Sequence, residues 1–440
     1  MPDHGAVDRR SVWLSRCAVL LGLGWLVSRA PNLLVSPRFW AEEAIFVSAV
    51  SARAGWDALT FDYGRQGYFS WPANVGTFVA VQLLPLDLAP LATSLLALVL
   101  QISPLLAVLW LRFDFRVTPI QHFVAGAALL TATTSEQGTT WLNTISSPVH
   151  LGILTSVLLI ASARQTSSSR SWALVAILVL TGLAGAYSIF FLPVFVLAAI
   201  AEREPWRTRQ TIALSAAFLA QLTLVLYTRF GLNLVHEKCR GARLDIDSIF
   251  IGLRETLALP MFGQHAVMGE GPFRNFLLFV SLLVAATAVL VLVRSARTRA
   301  LENLEQPRIE ATLRRLGSVA LRPLWAWLVG VGAISMNAHA GILAGRYAVV
   351  PDALTIIALL MAAQRARLRA VRLLLACVVF TSVATGLWSP RFPAAVACDG
   401  DTSGYQIAVR AWTREAPERL PICPERITVK LYPPRTRARS

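Results

Sequence analysis

The sequence predicts an all-α polytopic membrane protein, and two observations lead to that prediction. Of the 440 residues, 55% are hydrophobic and only 15% are charged. A water-soluble domain of this composition would have an exterior made mostly of hydrocarbon. The apolar residues also collect in runs close to the roughly 20 residues that a bilayer crossing needs. The formal net charge of +16 does not indicate a nucleic-acid partner, because the basic residues lie in short clusters between these runs.

The apolar runs predict about 11 membrane-spanning helices, within a range of about 10 to 13. They lie near residues 13–35, 90–111, 118–134, 147–162, 171–186, 188–201, 210–230, 275–294, 321–337, 349–363 and 371–388. Residues 73–86 are apolar but short, and Pro85 ends the run. We interpret them as a re-entrant or interfacial helix, with a twelfth span as the alternative.

The Arg-rich loops predict the orientation of these helices. A cytoplasmic N-terminus puts every short basic loop inside, as the positive-inside rule requires, provided that 171–201 forms a hairpin turning near 185–188. The outer segments are then 36–89, 135–146, 231–273, 338–348 and 389–440. We therefore expect a transmembrane domain over 1–388, with a large first outer loop at 36–89, and a small outer segment over 389–440. In that segment Cys398 and Cys423 are candidates for a disulfide if the compartment is oxidising.

Two adjacent acids, Glu42 and Glu43, follow the first apolar run. The predicted topology places them at the outer membrane surface. Neighbouring residues of a helix point about 100° apart, so one acid can act on a substrate while the other binds a metal, a neighbour or water. A carboxylate in low-dielectric surroundings has a raised proton affinity, which suits a general base. The alternative is that the pair marks the end of a span in a solvated loop.

A second group of candidates lies at the outer end of a late span. Arg346, beside Tyr347, offers a planar cation that can grip phosphate through two hydrogen bonds. An Arg at this level can also extend to lipid head groups without any further role. Asn337 and His339, just upstream, carry groups able to bind sugar or phosphate oxygens, although a lone His is more often a structural residue.

Two further outer loops carry candidate ligands for sugar or phosphate. In 135–146, Trp141 offers an aromatic face for stacking and Asn143 an amide for hydroxyl groups, although Trp also serves as an interfacial anchor. The loop 231–273 carries a basic surface suited to a lipid-linked phosphate. Its candidate residues are Lys238, Arg240, Arg243 and His265, the last also as an acceptor ligand. A solvated loop is the alternative for this segment.

Together these features resemble the GT-C class of polytopic glycosyltransferases, which use polyprenyl-phosphate-linked sugars. The resemblance is carried by the acidic pair in "FWAEEA" (39–44), the paired short helices of 182–203 and "GRY" (345–347) at a late span. Many spans, a large first outer loop and a small C-terminal outer lobe also fit. The Glu-Glu pair departs from the commoner Asp-containing pairs, which leaves open which acid is the base.

The resemblance implies a hexosyl- or pentosyltransferase of the bacterial inner membrane, with a periplasmic C-terminus. A sugar would pass from a polyprenyl-phosphate donor to a hydroxyl of a glycan, lipid or protein acceptor, with Glu42, or else Glu43, as general base. Arg346 would stabilise the leaving phosphate, assisted by His339 or the basic loop. Some members of the class use a divalent metal, so Mg²⁺ or Mn²⁺ held by the two acids stays open. No nucleic-acid partner is expected.

Two other functions stay open at this point. A glycan polymerase or ligase of the O-antigen type also has many spans and uses outer Arg and His residues, but it would not need acids directly after the first span. A transporter or flippase for lipid-linked saccharides would show charges or broken helices at mid-bilayer and repeated halves. The middles of the predicted spans are nearly free of ionisable residues and no halves repeat, which favours the transferase.

Overall fold

A computed structural model of the chain describes most of the helical part and short stretches of the remainder. The described residues are 9–29, 31–35, 37, 39, 43–53, 55–60, 68–113, 119–131, 141–227, 230, 246–267, 272–301, 312, 316–329, 345–388, 409, 420–422 and 427–429.

The first half of the chain forms helices of very different lengths. They are α1 (Arg9–Arg29), α2 (Asn32–Val35), α3 (Glu43–Ser51), α4 (Gly55–Leu59), α5 (Trp71–Phe78) with a π-helical extension Val79–Leu83, α6 (Ala89–Trp110), α7 (Pro119–Thr131), α8 (Ser147–Ile160), α9 (Ser168–Gly182), α10 (Ala186–Phe190), α11 (Leu192–Glu202) and α12 (Pro205–Leu226).

The second half continues the bundle and ends in a small β-hairpin. Its elements are α13 (Ile246–Leu253), a π-helical turn Arg254–Ala258, α14 (Leu259–Phe262), α15 (Gln264–Val267), α16 (Pro272–Leu301), α17 (322–329), α18 (Gly345–Arg365), α19 (Arg369–Trp388), β1 (Leu420–Ile422) and β2 (Ile427–Val429). The two strands pair antiparallel, with Leu420 opposite Val429. Within the described residues, the fold is therefore helical apart from this short ladder.

Within the described residues, five helices are long and apolar enough to cross a membrane. These segments are Ala89–Trp110, Pro205–Leu226, Pro272–Thr298, Ala348–Arg365 and Arg369–Trp388. Three shorter apolar helices, α8, α9 and α11, accompany them. The membrane character of the chain is confirmed in this coarse form, while the larger number of spans stays a prediction.

The helix break predicted within 171–201 is present. The chain leaves helical geometry at 183–185, between α9 and α10. Gly185 has φ of +152°, and a Cβ added there would lie 2.9 Å from the Cβ of Pro148. Both the backbone angle and the close approach require glycine at this position. The segment predicted as a short helix at 73–86 likewise begins as α5 and continues as a π-helical turn.

Part of the predicted outer loop 231–273 is a buried helix, so this part is not the solvated loop that was the alternative for the segment, while its outer location stays a prediction. Residues 246–262 are helical throughout, and Glu255, Thr256 and Leu259 are buried. The Oγ1 of Thr355 in α18 donates a hydrogen bond of 2.7 Å to the carbonyl of Thr256. The charged dipeptide Arg254-Glu255 interrupts the apolar run, so hydropathy alone does not reveal the helix.

Helix α8 lies at the centre of the bundle and runs parallel to α18. Every residue of α8 except Pro148 is buried. A Cβ added at Gly152 would lie 3.0 Å from the Cβ of Tyr187 and 3.1 Å from Cγ2 of Val350. Further along, Val157 shares a cavity wall with Ile357. Gly152 and Val350 are neighbours, and Val157 and Ile357, which come later in both helices, are also on one cavity wall. The two helices therefore run in the same direction, and their starts are at the same level.

Two buried arginines cap the end of α8. Arg207 donates to the carbonyls of Leu158 (3.3 Å) and Ala161 (2.7 Å), and Arg322 donates to the carbonyl of Leu159 (3.1 Å). Glu202 bridges the two guanidinium groups, at 2.8 Å from Nε of Arg207 and in direct contact with Nη2 of Arg322. These bonds satisfy carbonyls that the end of a helix leaves without partners.

The charge of Glu202 is maintained by its two partners. Burial alone would raise the pKa of this carboxyl group, but the guanidinium groups of Arg207 and Arg322 outweigh burial and lower its pKa overall. A carboxyl group with a lowered pKa in the folded state stabilises the fold above its ordinary titration range, and this contribution is lost as the pH falls.

We predict that Glu202→Gln lowers the free energy of unfolding by about 3–5 kcal/mol, because it leaves two buried guanidinium groups uncompensated. Unfolding of the purified protein in detergent would measure the loss, which should shrink on acidification. Glu204→Gln, two residues away and without an ion pair to a described residue, is the matched control. Equal effects of the two substitutions would contradict the assigned role.

Candidate functional site

Glu43 is anchored at the start of α3. Its side chain is 2% exposed, and its Oε1 accepts hydrogen bonds from the backbone N–H of Thr144 at 3.1 Å and from Oγ1 of Thr144 at 2.7 Å. Hydrogen bonds to a charged acceptor are stronger than neutral ones and are best made where water is excluded. The carboxylate therefore joins the segment after α2 to the loop that precedes α8.

The loop that receives Glu43 is fixed by its own polar groups. Leu142 adopts a positive φ of 45°, and its N–H donates to Oε1 of Gln101 at 3.2 Å. The side-chain oxygen of Asn143 accepts from the N–H of Ser146 at 2.8 Å, and Oγ of Ser147 donates to the Asn143 carbonyl at 3.2 Å. Asn143, predicted as a sugar ligand, thus closes the turn into α8 with its amide oxygen.

Trp141, also predicted as a sugar ligand, is packed into the protein. Its ring is 3% exposed, its Nε1–H donates to the carbonyl of Leu26 at 3.1 Å, and it meets Trp25 edge to face at 5.4 Å. A stacking platform for a sugar needs an open ring face, and in this structure the ring instead holds the loop against α1.

Helix α5 covers the same loop. A Cβ added at Gly76 would lie 3.0 Å from Cγ2 of Thr144 and 3.0 Å from Cδ2 of Leu96. In the same turn of α5, Asn74 and Thr77 are buried, and Nδ2 of Asn74 donates to the carbonyl of Leu59 at 3.2 Å. The environment of Glu43 is therefore polar but largely withdrawn from water. In such surroundings hydrogen bonds and charges have strong effects.

The start of α18 lies at the same end of α8 as this loop. Arg346 and Tyr347 begin the helix, one turn before Val350, which contacts Gly152 of α8. Because α8 and α18 are parallel, the backbone of Arg346 is level with the first residues of α8, directly after the turn that contains Thr144. The side chains of Arg346 and Tyr347 lie outside the described part of the chain. The backbone therefore puts the start of α18 at the same end of α8 as the Glu43–Thr144 bond.

Several predicted site residues lie outside the described residues. His265 falls in α15, but its side chain is not among those described. The others are Glu42, Lys238, Arg240, Arg243, Asn337, His339, Cys398 and Cys423. In the part of the chain that is described, no group of three or more His, Cys, Asp or Glu side chains is placed to hold a metal. Binding of Mg²⁺ or Mn²⁺ by Glu42 and Glu43 stays a prediction.

The structure adds a pair of acids that the sequence interpretation missed. Asp352 is 0% exposed in α18, and no described residue hydrogen-bonds either of its carboxylate oxygens. Its neighbouring charge is Glu255 in the π-helical turn, where Nη2 of Arg254 lies 3.2 Å from Oε1 of Glu255. Asp352 is the fourth residue of the predicted run 349–363 and lies toward one end of it. The expectation that the middles of the spans are nearly free of ionisable residues stays a prediction. In the sequence, the acidic residue within an apolar run was the feature that could have indicated this site.

No protein-family model, curated protein or solved structure matches this chain. Among the described residues, two features bear on function. One is the anchored Glu43, at the same end of α8 as the start of α18. The other is the buried pair of acids Asp352 and Glu255.

We predict that Thr144→Val lowers the free energy of unfolding by about 1.5–3 kcal/mol, because it removes a buried hydrogen bond to a charged group. Thr60→Val is the matched control, since Thr60 is exposed and donates only to the carbonyl of Trp56 within its own segment. The double variant with Glu43→Gln should lose less than the sum of the single losses, because both act on one interaction. Additive losses would contradict the pairing.

Proposed function

We propose that the chain is a membrane glycosyltransferase of the GT-C type, which transfers a sugar from a polyprenyl-phosphate donor to an acceptor hydroxyl. The observation that carries the proposal is the buried bond between Glu43 and Thr144. It joins the acidic segment after the first apolar run to the loop before α8, at the same end of α8 as the start of α18. This supports a site in which the predicted carboxylates and the predicted phosphate-binding Arg346 act together.

The anchoring of Glu43 suggests different roles for the two acids. A general base must be reachable by the hydroxyl group whose proton it takes. Glu43 accepts two hydrogen bonds from Thr144 and is nearly inaccessible, so we assign it a positioning role. Glu42 then remains the candidate general base, held next to the anchored residue. It takes the proton of the acceptor hydroxyl as that oxygen attacks the anomeric carbon and the bond to the phosphate oxygen breaks.

The leaving phosphate gains negative charge as this bond breaks. Arg346 at the start of α18 is the proposed cation for it, because a guanidinium group in a partly dry site stabilises such charge strongly. Tyr347, His339, Lys238 and Arg240 are proposed to assist with the donor. Asn337 and His265 are proposed for the acceptor, which is a glycan, a lipid or a protein.

The predicted orientation fits the packing of the bundle. Arg112 is joined to the end of α8, since the N–H of Ser162 donates to its carbonyl at 2.8 Å. Arg207 and Arg322 cap the same end of α8. Glu43 and Thr144 lie at its other end. If the basic end faces the cytoplasm, the proposed site opens toward the periplasm, where a flipped lipid-linked sugar is available in the bacterial inner membrane.

We predict that Glu42→Gln abolishes sugar transfer, with a loss on the order of 10²- to 10⁴-fold, because a general base is removed. The assay is transfer of a labelled sugar from polyprenyl-phosphate donors in membranes that contain each variant. Glu43→Gln should reduce both transfer and stability, while Asp57→Asn, an exposed acid of the same outer segment, should change neither. Full activity of Glu42→Gln at equal protein levels would overturn the assignment.

A second function, proton-coupled movement of a lipid-linked saccharide, is favoured by one observation. Asp352 and Glu255 are neighbouring acids in the buried interior of a helix bundle. Ionisable groups inside membrane segments usually belong to an ion or proton pathway, because burying an unpaired charge is costly. A site that gains and loses a proton would account for the absence of a hydrogen-bond partner for Asp352 among the described residues.

We predict that Asp352→Asn separates the two functions. In proteoliposomes with an imposed pH gradient, it should abolish movement of a labelled lipid-linked saccharide if Asp352 carries the coupled proton. In detergent it should leave sugar transfer intact, because transfer needs no gradient. Unchanged movement across the membrane by Asp352→Asn would remove the transport function from consideration.

A further inference from the structure

A basic cleft lies at the opposite end of the bundle from Glu43. Its empty volume is about 1350 Å³, and it lies between the last turns of α16 and the connection from α18 to α19. Arg365 in its wall follows Met361 by one turn, and Met361 shares a cavity with Ile160, the last residue of α8. The cleft is therefore level with the basic loops. Its polar lining consists of Thr287, Arg294, Ser295, Arg297, Thr298, Arg365 and Arg367.

The charged side chains in the described lining of the cleft are all positive. Four arginines line it, and none of the described lining residues is acidic. The described ion pairs do not include Arg294, Arg297 or Arg367, whereas Nη1 of Arg365 donates to the carbonyl of Met361 at 3.1 Å. Like charges that converge on one cleft repel one another and are stabilised by an anion. Guanidinium groups with hydroxyl groups beside them suit phosphate oxygens in particular.

The N-terminus of α19 adds to the positive electrostatic potential of the cleft. The helix begins at Arg369 and runs for 20 residues, and Leu368 and Val371 at its start line the cleft. The first N–H groups of a helix lack helical acceptors and carry partial positive charge, so they favour an anion. This contribution is independent of the arginine side chains.

Apolar surface adjoins the charged lining. Leu290 and Leu368 line the cleft and are 59% and 70% exposed. Farther along the same two helices, toward the outer end, Leu283 and Phe380 are also exposed. In a bilayer these side chains face acyl chains. A ligand with a phosphate head and hydrocarbon tails would match both parts of this surface.

We propose that this cleft binds the phosphate head group of an anionic phospholipid, whose acyl chains lie along the apolar faces of α16 and α19. A basic pocket between membrane helices on the side with the basic loops is a suitable place for such a lipid. The proposal does not depend on sugar transfer, since the cleft and Glu43 are at opposite ends of α8.

The test is binding of fluorescent phosphatidylglycerol to the purified full-length protein in mixed micelles, with phosphatidylcholine as the uncharged comparison. Each of Arg294→Gln, Arg297→Gln and Arg367→Gln should weaken phosphatidylglycerol binding about fivefold, and the triple variant on the order of a hundredfold. Binding should also fall as the salt concentration rises, because the contacts are partly exposed.

Arg170→Gln is the matched control, because Arg170 is exposed on a basic loop but does not line the cleft. It should bind phosphatidylglycerol as the wild type does. The proposal is overturned if the triple variant binds as the wild type does, or if Arg170→Gln loses as much as each single variant, since diffuse charge would then suffice. It is also overturned if soluble glycerol phosphate competes at the same concentration as the lipid, which would indicate a soluble phosphate ligand.

A measurement of the unfolding temperature distinguishes a variant that has lost the binding site from one that has misfolded. The triple variant should unfold in phosphatidylcholine micelles at the wild-type temperature, and added phosphatidylglycerol should raise the unfolding temperature of the wild type alone. Arg→Lys changes at the same positions keep the charge but lose bidentate hydrogen bonding. The Lys variants should therefore bind phosphatidylglycerol with an affinity between those of the wild type and the Gln variants. Equal binding by Lys and Gln variants would contradict a charge-dependent site.

Discussion

The arrangement of the bundle depends on a central helix that is too short to cross a bilayer. Helix α8 has 14 residues, a length of about 21 Å against a hydrocarbon thickness of about 30 Å. Both of its ends therefore lie inside the protein, where backbone groups without partners would be costly. Arg207 and Arg322 supply donors at one end. At the other end Asn143 and Ser147 close the turn, and Glu43 holds that turn in place through Thr144.

This constraint explains why polar groups gather at both ends of an otherwise apolar core. The end with two arginines and one bridging glutamate is closed, since its charges are directed at backbone carbonyls and at one another. The end with Glu43 is recessed below the outer turns of α6, whose Gln101 reaches the loop. Glu43, Asn143 and Thr144 are therefore buried polar groups in the interior of the bundle rather than surface groups.

Composition and the spacing of apolar runs were enough to predict a helical membrane protein and the helix break before Ala186, because both depend on local sequence. They also singled out the segments that contain Glu43 and Thr144. Sequence did not reveal that these two residues bond, because 101 positions separate them. The same holds for Glu202 and Arg322, 120 positions apart. Helix 246–262 and Asp352 were missed because a charged residue in an apolar run lowers hydropathy without showing whether tertiary packing buries it.

The position of Glu255 relative to Asp352 depends on the π-helical turn Arg254–Ala258. A π-helical turn contains one residue more than the α-helical turn it replaces, so it displaces the residues on either side relative to a regular helix. If this turn relaxed to α-helical bonding, the flanking segments would rotate against each other by about 100°. Glu255 would turn relative to α18 while Thr256 lost its register with Thr355. The proximity of two acids in the core therefore depends on the hydrogen-bond register of a single helical turn.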